Sequence, residues 1–252
     1  MPDTPAVLVT GANKGIGLQI AKDLAGEGFT VLVGSRNLEN GQEAAASIGE
    51  GARAVQLDVT DQASISAAAE YIQSEFGHLD VLVNNAGISH AGHAGDLSKP
   101  LAERAKAGLL PVAPLDDVRT VFETNVFGVI AVTQAMLPLL RKAPQPRIVN
   151  VASSGGSITL NADRANPHRA MYGTYSVSKS AVHAVTLAFA ASLESEGIKV
   201  NAACPGFTST DLNNFAGTRT VEQGANHPVR MALIGPDGPT GTFSNEDGPL
   251  PW

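Results

Sequence analysis

The sequence predicts a doubly wound α/β fold in a single domain, a largely parallel sheet flanked by helices. Three observations carry this. Short runs of β-branched and aliphatic residues alternate with longer stretches of helical periodicity. The short runs are apolar nearly throughout, as expected for parallel strands buried on both faces. A glycine-rich turn stands between the first run and the first helical stretch, the place where such folds grip a ligand. At 252 residues one α/β unit of this size needs no second domain.

The elements follow in order. Residues 6–9 form the first strand and run into Thr10-Gly11-Ala12-Asn13-Lys14-Gly15-Ile16-Gly17. The helix after it places Ile16, Ile20 and Leu24 at four-residue spacing on one face. Residues 30–33 form the second strand, ending at Ser35 and Arg36, and residues 54–57 the third, ending at Asp58 and Val59. A helix with Ile65, Ile72 and Phe76 on one broad face leads to the strand at 81–83 and then to Asn84-Asn85-Ala86-Gly87. Residues 118–140 read as a helix that carries Asn125 among Val121, Phe122, Val126 and Val129. A strand at 148–151 precedes Ser153, a helix covers 176–194, a strand covers 199–202, and a last helix lies near 221–233.

Three segments break the rhythm: residues 88–114, 154–170 and 206–239 are long for ordinary connections. All follow strands, and open α/β sheets bind ligands beyond the carboxyl ends of their strands. The substrate pocket is therefore expected among them.

Composition narrows the function. Apolar residues are 43% and charged residues 16% of the chain, the balance of a globular enzyme. A net charge of −7 without a run of Lys or Arg gives no footprint for nucleic acid or anionic lipid. No apolar stretch reaches the roughly 18 residues of a membrane span, and residues 1–5 lack a signal-like pattern. The one cysteine, Cys204, cannot form an intramolecular disulfide and fits a reducing compartment, so the cytoplasm is expected. His90 and His93 have no third ligand at metal spacing and read as pocket lining or surface, His183 as facing solvent or a subunit contact, and no metal site is expected.

The glycine turn suits a dinucleotide. Gly11 permits a tight bend, Gly15 a close approach of backbone to pyrophosphate, and Gly17 tight packing of the helix on the sheet; the same turn would also serve a strand-to-helix junction with no ligand. Ser35 and Arg36 stand where an NAD-selective site carries an acid. Arg36 and Lys14 could together hold a ribose phosphate, which favours NADPH over NADH, or be solvated surface charges. Asp58, with Val59 beside it, could accept from an adenine amino group, and Asn85, Ala86 and Gly87 could border the cofactor ribose; either group also fits a plain turn or cap.

Tyr175 and Lys179 are four residues apart, on one helical face. A cation there, with an oxidised nicotinamide, could lower the tyrosine pKa by roughly two to three units and so fit Tyr175 for proton transfer to a carbonyl oxygen. Ser153 could donate a hydrogen bond to that oxygen. Asn125, polar on an apolar face, requires a partner, either a water leading to Lys179 or nearby backbone.

These motifs (TGANKGIG, Ser35-Arg36, LDVTD, NNAG, IVNVASS, YSVSK, NAACPGFTSTDL and the tail GTFSNEDGPLPW) resemble the short-chain dehydrogenase/reductase superfamily over nearly the whole chain, and within it the NADPH-using carbonyl-reductase-like members. The resemblance implies a Rossmann-type fold and a catalytic tetrad of Asn125, Ser153, Tyr175 and Lys179, with Ser153 rather than Ser154 at the family position. It further implies that Lys179 holds the nicotinamide ribose, and that the turn at Pro205 and Gly206, with the Phe207 and Thr208 backbone and the Thr210 hydroxyl, fixes the carboxamide. Tyr172 fails the spacing, because Ser176 lies four residues on. Ser153 and Tyr175 are 22 positions apart (175 minus 153), more than in the commonest members, which leaves monomer, dimer and tetramer open. The expectation is an NADPH-dependent reductase of a small ketone or aldehyde. An alcohol dehydrogenase working oxidatively, a dehydratase or epimerase, and a non-catalytic nucleotide sensor are the alternatives, the last disfavoured by the proton donor.

Overall fold

Parallel strands need crossovers, and this chain supplies most of them as helices. The computed structural model describes residues 4–96 and 98–252, so the reading of residues 1–3 lies outside the described residues. The strands β1 (Ala6–Thr10), β2 (Thr30–Ser35), β3 (Ala52–Gln56), β4 (Val81–Asn84), β5 (Arg147–Val151), β6 (Lys199–Ala203), β7 (Phe243–Asn245) and β8 (Gly248–Pro249) form one sheet in the order β3-β2-β1-β4-β5-β6-β7-β8. All pairings are parallel except β7 with β8. The expected doubly wound parallel sheet is present, and the strand order reverses direction between β1 and β4.

Strand periodicity sorts the core into two layers. Leu8, Leu32, Leu82, Ile148 and Val200 pack with α3 (Gln62–Glu75), α6 (Gly128–Leu140) and α8 (Thr174–Leu193). On the other face Val7, Val33, Val83 and Val149 pack with α1 (Gly15–Gly26), α2 (Leu38–Ile48) and α9 (Val221–Ala232). Caps fix several starts: Asn37 accepts from the Asn40 amide, Asp61 from Ala63, and Thr220 from Gln223.

The segments expected to be irregular contain short elements. Residues 88–114 hold a 3-10 turn (Gly92–Gly95) and α4 (Leu101–Ala107), and residues 154–170 hold a 3-10 turn (Ser154–Gly156) and α7 (Ile158–Ala162). Each is too brief to show a 3.6-residue period in sequence. The long helix begins earlier than expected, as α5 (Leu115–Phe122) directly after Pro114, and joins α6 through a π-helical turn at Glu123–Phe127. The continuous helix Leu115–Leu140 contains an 18-residue window apolar enough to match a membrane span, with a mean hydropathy of 1.3. By length and composition this corrects the expectation that no apolar stretch reaches that size. Here Val132, Met136, Leu139 and Leu140 are buried in the sheet's core.

Leu82 lies at the centre of this construction, fully buried on β4. Leu82→Ala is expected to cost about 2–5 kcal/mol through lost burial and a residual cavity. Urea denaturation of the two proteins checks this, and a loss below ~1 kcal/mol would mean that the site collapses around the missing atoms.

Candidate active site

At the point where strand order reverses, the carboxyl ends of β1 and β4 meet. Thr10 Oγ accepts from the Asn85 and Ala86 amides at 2.9 Å each, and the Asn85 amide group donates back to the Thr10 and Gly11 carbonyls at 2.9 and 3.1 Å. Gly11 and Gly15 have φ of +62° and +56°, a left-handed backbone that only glycine adopts freely. A methyl on Gly11 would come within 2.9 Å of Ala86 Cα, so the first glycine serves both the bend and the close approach of β4. The Asn85 side chain thus braces the glycine turn. Asn84 is buried and donates to Thr133 and Asn150.

A cleft of about 410 Å³ opens beside the turn, lined in part by Lys14, Gly15, Thr210, Asp211 and Phe215. The amino end of α1 faces this region, with the partial positive charge that suits phosphate. Arg36 is exposed and forms no hydrogen bond or ion pair with the described residues, so it is free to meet an anion. Lys14 departs from the expected pair of free cations, because it forms an ion pair with Asp211 across the cleft. Ser35 is buried and donates to the Asn37 carbonyl at 2.7 Å. One oxygen of Asp58 caps Thr60 through its amide and hydroxyl, at 2.9 and 2.7 Å. Val59 is buried, and its side chain packs against Gly128.

The tetrad residues converge beyond β4 and β5. Lys179 on α8 is buried and donates from Nζ to the Val151 carbonyl at 2.8 Å. Gly156 makes room for it, since a methyl there would lie 2.8 Å from Lys179 Cβ, whereas one on Gly87 would meet Nζ at 3.7 Å, an ordinary contact. Asn125, in the π-helical turn, is fully buried. Its oxygen accepts from the Ile88 amide at 2.8 Å, and its Nδ2 donates to the Ile88 carbonyl at 2.8 Å and to Ser178 Oγ at 3.0 Å. Ser178 donates in turn to the Tyr175 carbonyl at 2.6 Å. The side chain of Asn125 thus makes the bonds to nearby backbone that one of its two readings calls for. Ser153 follows β5, its oxygen accepts from the Gly155 amide at 3.1 Å, and its side chain hydrogen-bonds the Tyr175 phenol.

Burial dominates the titration of these groups. It pushes the Lys179 ammonium down to about 8. It pushes the Tyr175 phenol up to about 12; the charge of Cys204 adds to the rise and Ser153 hydrogen bonding opposes it. The expected lowering by Lys179 is therefore reversed in the protein alone. Nζ lies 5.8 Å from the Tyr175 ring centroid and turns to Val151, and the phenol keeps its proton through neutral pH.

Sequence reasoning also missed supports around this core. His183 is buried rather than solvent-facing, with its ring 4.1 Å from Phe243 and 5.6 Å from Trp252. Cys204 accepts through sulfur from the Ser154 amide at 3.2 Å. His90 is partly buried and bonds Ser89 Oγ at 2.8 Å, and Ser89 donates to the Leu212 carbonyl at 2.9 Å. The side chain of His93 lies outside the described residues.

A family profile described as short chain dehydrogenase matches residues 5–220. The chain belongs to the short-chain dehydrogenase family. Among curated relatives of this short-chain dehydrogenase is (-)-isopiperitenone reductase of Mentha piperita, 34% identical over 96% of each chain. That alignment spans 305 positions, more than the 252 residues here, so the relative carries segments this chain lacks. Among solved structures, salutaridine reductase from Papaver somniferum superposes with a TM-score of 0.79 at 32% identity, covering 95% of this chain and 99% of that one. The NADPH-bound carbonyl reductase from chicken fatty liver gives 0.79 at 28% identity, with 99% of both chains covered. The protein is an NAD(P)-dependent oxidoreductase acting on alcohol or carbonyl groups of a small molecule.

Three buried or partly buried histidines of this dehydrogenase set its acid stability. Burial holds His90, His183 and His227 at about 4, so they are neutral in the folded protein and must charge as it unfolds in acid. A depressed folded pKa gives stability that is complete above about 6.5 and is lost as pH falls through about 4. The urea midpoint is expected to drop between pH 7 and pH 5, with a shallower drop in His227→Gln. An identical midpoint at both pH values would rule this account out.

Proposed function

We propose that this protein is an NADPH-dependent carbonyl reductase that converts a ketone or aldehyde to an alcohol, with Tyr175 as proton donor. The observation that carries this reading is a phenol held protonated at about 12, beside the Ser153 hydroxyl and one helical turn from a buried lysine.

The residues around the cleft fit a nicotinamide dinucleotide. The positive-φ glycines leave backbone amides uncovered, α1 points its amino end at the cleft, and Arg36 stands free at the end of β2. Gly11, Asn13, Lys14, Gly15, Ile16 and Gly17 would hold the pyrophosphate side, Asp58 and Val59 the adenine, and Pro205, Gly206, Phe207, Thr208 and Thr210 the carboxamide. When bound, the cofactor supplies the hydride that ends on the substrate carbon.

Everything else falls to the chain. Ser153 donates a hydrogen bond to the substrate carbonyl oxygen, steadying the charge that grows there as the carbon is reduced. Tyr175 passes its phenolic proton to that oxygen, which completes the alcohol. The Lys179 ammonium stabilises the phenolate left behind and orients the ribose, and Asn125 holds the 88 segment against α8. In the reverse direction the phenolate accepts the proton, so the same atoms serve alcohol oxidation.

The NADPH preference rests on Arg36, with Lys14 shared between Asp211 and an incoming phosphate. Arg36→Ala is expected to raise KM for NADPH about tenfold, near 1.4 kcal/mol, and to leave KM for NADH nearly unchanged. Equal losses for both cofactors would move the phosphate site elsewhere.

Tyr175→Phe is expected to lower kcat by about 10²–10⁴ while NADPH still binds. Steady-state turnover over a panel of ketones and aldehydes, with cofactor titration alongside, tests both halves. Undiminished turnover in this variant would exclude Tyr175 as donor, and tight NADPH binding by wild type with no turnover of any carbonyl would point to a sensor.

A further inference from the structure

The turn that begins at Pro205 is clamped from below by one side chain. Gly206 has a φ of +74°, and a methyl on it would lie 2.6 Å from Arg219 Cδ and 3.1 Å from Arg219 Nε, so the arginine stem fills the space under the turn. Main-chain bonds fasten the same two segments. The Phe207 carbonyl accepts from the Thr218 and Arg219 amides at 2.9 and 3.1 Å, and the Ser209 amide donates to the Arg219 carbonyl at 2.8 Å. Residues 206–210 thus ride on Arg219.

The guanidinium reaches away from the cleft to the sheet edge. Nη1 and Nη2 donate to the two oxygens of Glu246 at 2.6 Å each, and Nη2 also donates to the Gln223 carbonyl at 2.9 Å. Glu246 sits between β7 and β8, and β7 is hydrogen-bonded to β6, the strand from which the turn departs. Nε is buried without a hydrogen-bond partner among the described residues, a cost to stability that the stem bears by lying beneath Gly206. A planar fork held at both ends fixes distance and angle in a way that an ammonium on a flexible stem does not.

We infer that the Arg219–Glu246 pair is a positioning strut that sets the height of the 205–210 turn over the sheet, and through it the placement of the nicotinamide end of the cofactor. The inference rests on the reading of that turn as the carboxamide holder. Arg219 and Glu246 touch neither cofactor nor substrate in this assignment and act through the turn alone.

The test separates the two ends of the dinucleotide. Calorimetric titrations of wild type, Glu246→Gln and Arg219→Lys would use NADP+ and adenosine 2′,5′-bisphosphate, which has the adenine and ribose phosphate and lacks the nicotinamide. Glu246→Gln keeps the shape and removes the charge, and thermal midpoints check that both variants are folded. The expected result is that Kd for NADP+ rises about tenfold in both variants, Kd for the bisphosphate stays within about twofold, and KM for NADPH and for NADH rises by the same factor. Glu246→Asp, which restores the charge, should recover part of the loss. Equal weakening of NADP+ and the bisphosphate would assign the pair to general stability and overturn the strut, as would unchanged NADP+ binding in both variants. If wild type itself bound the bisphosphate and NADP+ equally well, the turn would not hold the nicotinamide, and that functional reading would fall first.

Discussion

An ammonium group inside a protein must find acceptors or give up its proton, and the burial of Lys179 imposes that condition on everything near it. β4 ends at Asn84, opposite Asn150, so the next residue of β5 has no β4 partner. Its carbonyl, Val151 O, is the acceptor that Lys179 takes at 2.8 Å. Gly156 lacks the side chain that would otherwise collide with Lys179. With its pKa brought down to about 8, the group still favours the protonated form at pH 7. The site retains its cation and holds it close to the point of release.

The same burial acts on Tyr175 in the opposite electrical sense. A phenol resists becoming an anion in a low-dielectric setting, and here that resistance outweighs the neighbouring cation. For a proton donor, the role proposed for Tyr175, this is useful at rest, because the proton is always present. The donor must also release it, and that calls for positive charge close by when the substrate oxygen becomes basic. Geometry therefore matters more than the resting pKa: α8 supplies the one-turn spacing, and the chain from Asn125 through Ser178 to the Tyr175 carbonyl ties this turn of α8 to the 88 segment.

Much of the fold and the placement of most candidate site residues were legible in the sequence, because both depend on local rules. Strands β1, β2, β4, β5 and β6 are short apolar runs, and Tyr175, Lys179 and the glycine turn are recognisable from spacing. What escaped depends on contacts distant along the chain or on small geometric departures. The π-helical turn at Glu123–Phe127 has no composition of its own, yet it directs Asn125 to Ile88. His183 reads as an exposed residue one turn past Lys179 until Phe243 and Trp252 return to cover it. Lys14 reads as a free cation until Asp211, 197 positions away, claims it. β7 is three residues long and owes its place to β6 rather than to any pattern. The rise of the Tyr175 pKa follows from its depth in the finished site, which spacing cannot convey.

The segment after β6 shows how contacts of unequal strength can shape one mobile-looking region. It is held on three sides: by Ser89 donating to Leu212, by Lys14 paired with Asp211, and by Arg219 forked onto Glu246. Lys14 and Asp211 are 65% and 39% exposed, so water competes for both charges and the pair contributes at most about 1 kcal/mol. Arg219 is less exposed, doubly bonded and reinforced by backbone bonds on either side of it. Local opening follows the weakest contacts first. The end of the segment over the glycine turn can therefore separate from Lys14 at small cost, while the end beneath Gly206 stays fixed to the sheet. On the proposed reading of the cleft, a dinucleotide entering between them would meet a yielding contact at its phosphates and a rigid one at its ring, an arrangement that admits the ligand without surrendering the geometry at the reacting carbon.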